Sequence, residues 1–90
     1  MKLSEKVHVA RDVMARKVGD ETVMLDLANG TYFGLDPVGT RIWELMGEGM
    51  TLAEICDVMM NEFEVSRDVI ERDVARLADE LAERGLIVAA

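Results

Sequence analysis

Up to residue 35 the apolar positions of the chain recur at every second residue, and from Pro37 onward they recur every three to four. The first regime predicts strands and the second helices. "ARDVMARKVG" reads as a first strand, Gly19-Asp20 as a turn, "ETVMLDL" as a second strand and "TYFGL" as a third. Asn29-Gly30 stands between the last two, and an Asn-Gly pair is the strongest short hairpin signal. The result is a three-stranded antiparallel meander. In its second strand Val23, Leu25 and Leu27 alternate with Met24 and Asp26, so one face is wholly apolar and the other mixed. A two-residue loop would set Leu27 opposite Tyr32 and Asp26 opposite Phe33, whereas a longer loop shifts that register.

Asp36 followed by Pro37 marks a helix start, a capping carboxylate before a residue whose fixed φ suits the first helical position. A first helix is expected over about 37–46, with Ile42, Leu45 and Met46 inward, Trp43 beside them and "GEG" at 47–49 as the stop. Thr51 with Glu54 three residues on makes a capping box for a second helix, ending near Glu64, whose one face carries Leu52, Ile55, Cys56, Met59 and Phe63. Ser66 opens the third and longest helix, which runs to Arg84 and is stopped by Gly85; Ile70, Val74, Leu77 and Leu81 form its stripe, flanked by Val69, Asp73, Arg76 and Glu80. "LIVAA" at the end adds a short apolar segment, and residues 1–9 read as a flexible extension. Three strands followed by three helices predict an α+β, winged-helix-like fold in one domain spanning residues 1–90.

Composition narrows the functions open to such a fold. The chain of 90 residues is half hydrophobic and 31% charged, which is compatible with one packed core. No apolar run approaches the roughly 18 residues of a membrane span, and charges interrupt "MKLSEKVHVARD" where a signal peptide needs an apolar stretch. The expectation is a cytoplasmic protein with no membrane partner. Net charge is −8, and the excess is local: residues 1–35 carry five positive and five negative charges, 36–64 one and seven, 65–90 four and six. A winged helix that binds DNA needs Lys and Arg on its recognition helix to neutralise phosphates. The third helix carries four arginines against six acids, so nucleic acid is not an expected partner, and a DNA-binding regulator remains only the competing class.

Candidates for catalysis are few. His8 is the only histidine and lies in the N-terminal extension; the single cysteine, Cys56, falls on an inward helix face where a thiol behaves as a small hydrophobe. No Cys/His spacing fits a metal, Gly34 and Gly39 match no phosphate loop, and no cofactor is expected. Asp68/Arg72 and Glu80/Arg84 stand at i, i+4 distances that suit a solvated helix surface. An expected non-enzyme is left with binding. Three of the four aromatics, Tyr32, Phe33 and Trp43, lie within fifteen residues, and the third strand leads straight into a helix, which leaves an edge that an extended peptide can complete. Neighbouring strand residues point to opposite faces, so Tyr32 and Phe33 cannot both enter the core.

The order "VMLDLANGTYFGLDPVGTRIWELM", "TLAEICDVMMNEFEV" and "LADELAERGLI" resembles the PqqD-like family, also called RiPP recognition elements, from about residue 10 to 88. The sharpest part is Gly30, Tyr32, Phe33, Gly34, Leu35, Asp36 and Gly39, followed by Ile42 and Trp43. The resemblance implies a carrier that binds the leader segment of a ribosomally made precursor peptide as an added antiparallel strand and presents it to modifying enzymes. It implies Thr31, Tyr32, Phe33, Gly34 and Leu35 as the backbone partner and Val69, Asp73, Arg76, Leu77 and Glu80 as the opposing wall. The hairpin "LDLANGTYFGLD" is more similar to the free-standing proteins of lasso-peptide clusters, which would work with a leader peptidase and a macrocyclase. The alternative within the family is a chaperone for a radical SAM enzyme in pyrroloquinoline quinone synthesis.

Overall fold

The computed structural model describes residues 1–90. Its elements are β1 (Val7–Val9), β2 (Val13–Val18), β3 (Glu21–Asp26), β4 (Thr31–Leu35), α1 (Pro37–Met46), α2 (Leu52–Glu62), α3 (Arg67–Glu83) and β5 (Ile87–Ala89). β2, β3 and β4 form the expected antiparallel meander, with β3 in the centre, and three helices follow it. The fold is mixed α+β, with the order of elements expected of a winged-helix-like unit.

Helix starts are set by the side chains the sequence supplies. The Asp36 carboxylate accepts the Gly39 N–H at 2.7 Å, the Ser66 hydroxyl accepts the Val69 N–H at 3.4 Å, and Thr51 and Glu54 close a reciprocal box at 3.1 and 2.8 Å. Each satisfies donors that the first helical turn leaves without a partner inside the helix. Ile42, Leu45 and Met46 of α1, Leu52, Ile55, Cys56 and Met59 of α2, and Ile70, Val74, Ala78 and Leu81 of α3 are buried in one cluster. Trp43 and Phe63 pack against its margin, partly exposed. Leu77, expected in the α3 stripe, is only half buried, and Ala78 takes the core position. No helix is long and apolar enough to cross a membrane.

One expectation is corrected, and one register that the sequence leaves open is resolved. The N-terminal residues, read as a flexible extension, are tied to the body. Val7–Val9 pair antiparallel with Ile87–Ala89, Val7 and Ile87 lie in the core, and the carbonyls of Leu3 and Glu5 accept the first N–H groups of α2, from Ala53 and Leu52, at 2.8 and 2.9 Å. A three-residue strand whose partner lies at the far end of the chain leaves almost no local signal. Of the two loop lengths the sequence leaves open for the hairpin between β3 and β4, the longer is present: Asp26 faces Thr31 and Leu25 faces Tyr32 across a four-residue loop. Asp26 organises that loop by accepting the Ala28 N–H (3.0 Å) and the Asn29 side-chain amide (2.8 Å), and Gly30, at φ 68°, makes the left-handed exit.

The register decides which face of the sheet meets the helices. Thr22, Met24 and Asp26 of β3 are buried with Leu35 of β4, so the mixed face is the inner one. The wholly apolar face, with Val23 and Leu25, is turned away from the helices.

Between helices, Arg41 of α1 makes a two-pronged ion pair with Glu62 of α2, both N–O distances 2.7 Å, which holds the Glu62 carboxyl below its usual range. Hydrogen bonds from Thr51 lower Glu54 in the same way. A carboxyl whose pKa is lower folded than unfolded stabilises the fold above its unfolded value and loses that contribution as pH falls through the folded one. Stability is therefore expected to hold at neutral pH and to decline below about pH 4.5, less steeply in Glu54→Gln and Glu62→Gln, as followed by urea titration across pH. Val7→Ala is expected to cost about 2 kcal/mol in the same assay, a loss that an untethered N-terminal extension would not produce.

Candidate functional site

Strand β4 is an edge strand, and the hydrogen-bond alternation of the sheet shows which of its backbone groups are free. In an antiparallel ladder a residue directs its N–H and C=O to the same side, and its neighbour directs them to the other. Leu27 donates to the Asp12 carbonyl at 2.9 Å, continuing the β2–β3 ladder. Leu25 and Val23 therefore also address β2, while Asp26, Met24 and Thr22 address β4, where their partners are Thr31, Phe33 and Leu35. The backbone groups of Tyr32 and Gly34 are left pointing off the sheet.

Those free groups border a groove. Its first part, about 380 Å³, lies between β4 and α3 and is lined by Phe33, Gly34, Leu35, Asp36, Val38, Gly39, Ile42, Asp73, Arg76, Leu77 and Glu80. A second part, about 280 Å³, continues past Phe33 along Asp26, Asn29, Thr31, Tyr32, Glu83, Arg84 and Leu86. Gly39 keeps the α1 end of the groove tight: a Cβ there would come within 3.2 Å of an Asp36 carboxylate oxygen and 3.4 Å of the Leu35 side chain. Leu77 leaves the core stripe to line this groove.

Of the ten residues named from sequence, nine border the groove: Thr31, Tyr32, Phe33, Gly34, Leu35, Asp73, Arg76, Leu77 and Glu80. Val69 does not; it lies exposed in the first turn of α3, beyond the groove's end. The Tyr32 side chain is 70% exposed and stands on the outer face of the sheet opposite Leu25, so this residue reaches the groove only at its rim. Sequence reasoning missed Asp36, Val38, Gly39 and Ile42 in the first part of the groove and Asp26, Asn29, Glu83, Arg84 and Leu86 in the second. Ile42 was assigned to the core, which it also serves, since it is buried while one side still borders the groove. The i, i+4 spacing sets Arg84 beside Glu80 on a solvated helix surface; its guanidinium instead lies over the Phe33 ring, 4.6 Å from the centroid. The signal was Arg84's position at the end of α3, but its partner lies across the groove rather than on the helix.

The remaining candidates are positioned for structure. Cys56 is buried, and that burial pushes its thiol up, away from the reactive thiolate. His8 is exposed on β1, and Val88 faces it on β5. The groove's charged rim is mostly acidic, with Asp36, Asp73, Glu80 and Glu83 against Arg76 and Arg84, and Arg76 pairs with Asp73 at 3.3 Å.

An open strand edge beside a helix-walled groove defines the class, a small α+β domain with an unfilled place in its sheet. The chain belongs to the PqqD family: the family model described as coenzyme PQQ synthesis protein D (PqqD) matches residues 21–87. Two solved structures are similar to it. One is TbiB1 in complex with the TbiA(beta) leader peptide, 42% identical over 88% of this chain and 92% of that one, with a TM-score of 0.83. The other is a lasso peptide synthetase B1 complexed with the leader peptide, 25% identical over 92% and 98%, with a TM-score of 0.86. Among curated proteins none matches.

The assignment of free and paired groups along β4 is measurable. Native-state hydrogen exchange is expected to show the Tyr32 and Gly34 amides exchanging fast while those of Thr31, Phe33 and Leu35 are protected; uniform protection along the strand would contradict the open edge.

Proposed function

We propose that this protein binds the leader segment of a ribosomally made precursor peptide by strand addition at β4 and presents it to processing enzymes of lasso-peptide type. The observation that carries the reading is the pair of free backbone positions, Tyr32 and Gly34, facing a groove walled by α3. It is supported by the two similar structures, each a complex with a leader peptide.

The mechanism follows from strand geometry. A peptide running antiparallel to β4 exchanges N–H and C=O groups with Tyr32 and Gly34, which gives affinity without reading sequence. Peptide residues opposite those two share their outward face, and the residue between them, opposite Phe33, points inward. That inward side chain enters the groove against Phe33, Leu77 and Ile42, where size and apolarity select it. The charged rim then tunes register and encounter rate: Asp73 and Glu80 favour a peptide Lys or Arg, and Arg76 and Arg84 favour a carboxylate. Thr31 and Leu35 contribute through their side chains and through the hairpin, since their backbone groups are already used. The protein acts as a carrier rather than a catalyst, in the cytoplasm, with a leader peptidase and macrocyclase as its partners.

The charges of α3 speak against the DNA-binding alternative. Arg67 is tied to Glu71 and Asp57, Arg76 to Asp73, and Arg84 to the Phe33 ring, so three of the helix's arginine charges are already partnered amid six acids.

The decisive variant is Gly34→Pro. Proline there removes an N–H that the sheet does not use, and a Cβ at Gly34 meets nothing within 4 Å, so the variant is expected to fold, which circular dichroism checks first. Leader affinity measured by calorimetry is expected to fall by about tenfold or more. A folded Gly34→Pro protein that binds leader as tightly as the parent would falsify strand addition at this edge.

A further inference from the structure

Asn29-Gly30 stands out in the sequence as a turn signal, but the four-residue loop uses only half of it. Gly30 takes the left-handed conformation at φ 68°, and no residue other than glycine has a positive φ, so the backbone at position 29 does not require an asparagine. Its contacts account for it instead. The Asn29 side-chain amide donates to one oxygen of the Asp26 carboxylate at 2.8 Å, while the backbone N–H groups of Asn29 and Ala28 reach the other at 3.4 and 3.0 Å. The Gly30 N–H donates to the Asp26 carbonyl at 2.7 Å. Asp26 therefore holds both groups of an Asn-Gly pair that react with each other in an unrestrained chain.

That reaction is cyclisation, and asparagine is among the thermolabile residues because of it. The Gly30 nitrogen loses its proton to solvent base and attacks the Asn29 side-chain carbonyl carbon; a C–N bond forms, and the amide nitrogen leaves as ammonia. Water then opens the five-membered imide. Opening at the side-chain carbonyl leaves an aspartyl residue at position 29, and opening at the main-chain carbonyl leaves an isoaspartyl residue, whose backbone runs through the side-chain carbons. Both residues are exposed to water, and glycine offers no Cβ to hinder the attack.

Resting on the strand-addition reading for its consequence, we propose that Asn29-Gly30 is a self-modification site that turns peptide binding off as the protein ages, at a rate set by Asp26. The Gly30 nitrogen must first give up its hydrogen bond, and the Asn29 amide must leave the Asp26 carboxylate to turn toward it. Asp26 is buried, so its weakly screened charge also disfavours the negative charge that develops during the attack. Conversion thus proceeds through transient opening of the loop. The product cannot be held as Asn29 is. A carboxylate oxygen replaces the amide donor facing Asp26, and two carboxylates at that distance repel unless one takes a proton. An isoaspartyl residue also adds one main-chain atom to the loop. Either change loosens the pairing of Asp26 with Thr31, which begins β4 next to the free groups of Tyr32. Asp26, Asn29, Thr31 and Phe33 line the second part of the groove, so its wall shifts with the loop.

The test incubates the full chain at mildly alkaline pH, native and in urea, and follows position 29 by peptide mass mapping with isoaspartate detection. Native protein is expected to convert, about tenfold or more slowly than in urea. Asp26→Asn should bring the native rate toward the urea rate; if that variant does not fold, the native-to-urea ratio of the parent decides the point. Converted protein, separated by its added negative charge, should bind synthetic leader about tenfold or more weakly by calorimetry. Asn29→Gln, which would have to close a less favourable six-membered ring, should keep its own starting affinity through the same incubation. No conversion of native protein, or converted protein that binds leader as the fresh parent does, overturns the proposal while leaving the groove reading intact. Native conversion as fast as in urea overturns the part assigned to Asp26. If the fresh parent binds no leader at all, the carrier reading itself fails, and the switch with it.

Discussion

Leu35, Asp36 and Pro37 join the last strand of the sheet to the first helix, and the geometry of that junction fixes most of what surrounds it. The Asp36 carboxylate holds the Gly39 N–H, the Thr40 N–H donates to the Asp36 carbonyl at 2.8 Å, and Leu35 is buried beneath the new helix. With Leu35 turned inward, a period of two turns Phe33 inward and Tyr32 and Gly34 outward. The register then carries the choice across the sheet: Met24 and Thr22 follow Phe33 and Leu35 into the interior, and Val23 and Leu25 follow Gly34 and Tyr32 out. A β4 strand rotated by one residue would have put Val23 and Leu25 against the helices instead.

The same junction creates the groove. α1 leaves the sheet directly from the end of β4, and α3 stands beyond the strand's open edge without pairing with it. Between them remain backbone groups that have no partner within the chain and a hollow lined by Phe33, Ile42 and Leu77. An open edge is an aggregation hazard in most proteins. Here α3 shields it from one side and an acidic rim surrounds it, so what remains suits one extended segment better than a second sheet.

Charge is distributed to fit this arrangement. The helices carry the excess of acids and bind their own arginines in pairs such as Arg41–Glu62 and Arg67–Glu71. Arg84 makes no such pair and lies over the Phe33 ring at the groove, and Arg16 makes none on the outer face of the sheet. At the groove an unpaired cation keeps its capacity to meet a carboxylate from outside.

By itself the sequence determined the three strands of the meander and the three helices. Capping residues at Asp36, Thr51 and Ser66, the change of period at Pro37 and the Asn-Gly turn are local signals, each acting within a few residues, and the helices start where these signals place them. The segment Thr31–Leu35 and most of the α3 wall were legible for the same reason, helped by a motif concentrated in one stretch. Tertiary structure decided what depends on distant partners. It paired Val7–Val9 with the other end of the chain, chose the four-residue hairpin loop around Asp26, moved Leu77 from core to groove and set Arg84 on Phe33. It also decided which face of the sheet is the inner one. Alternation marks two faces but carries no sign, and the sign came from packing Leu35 under α1.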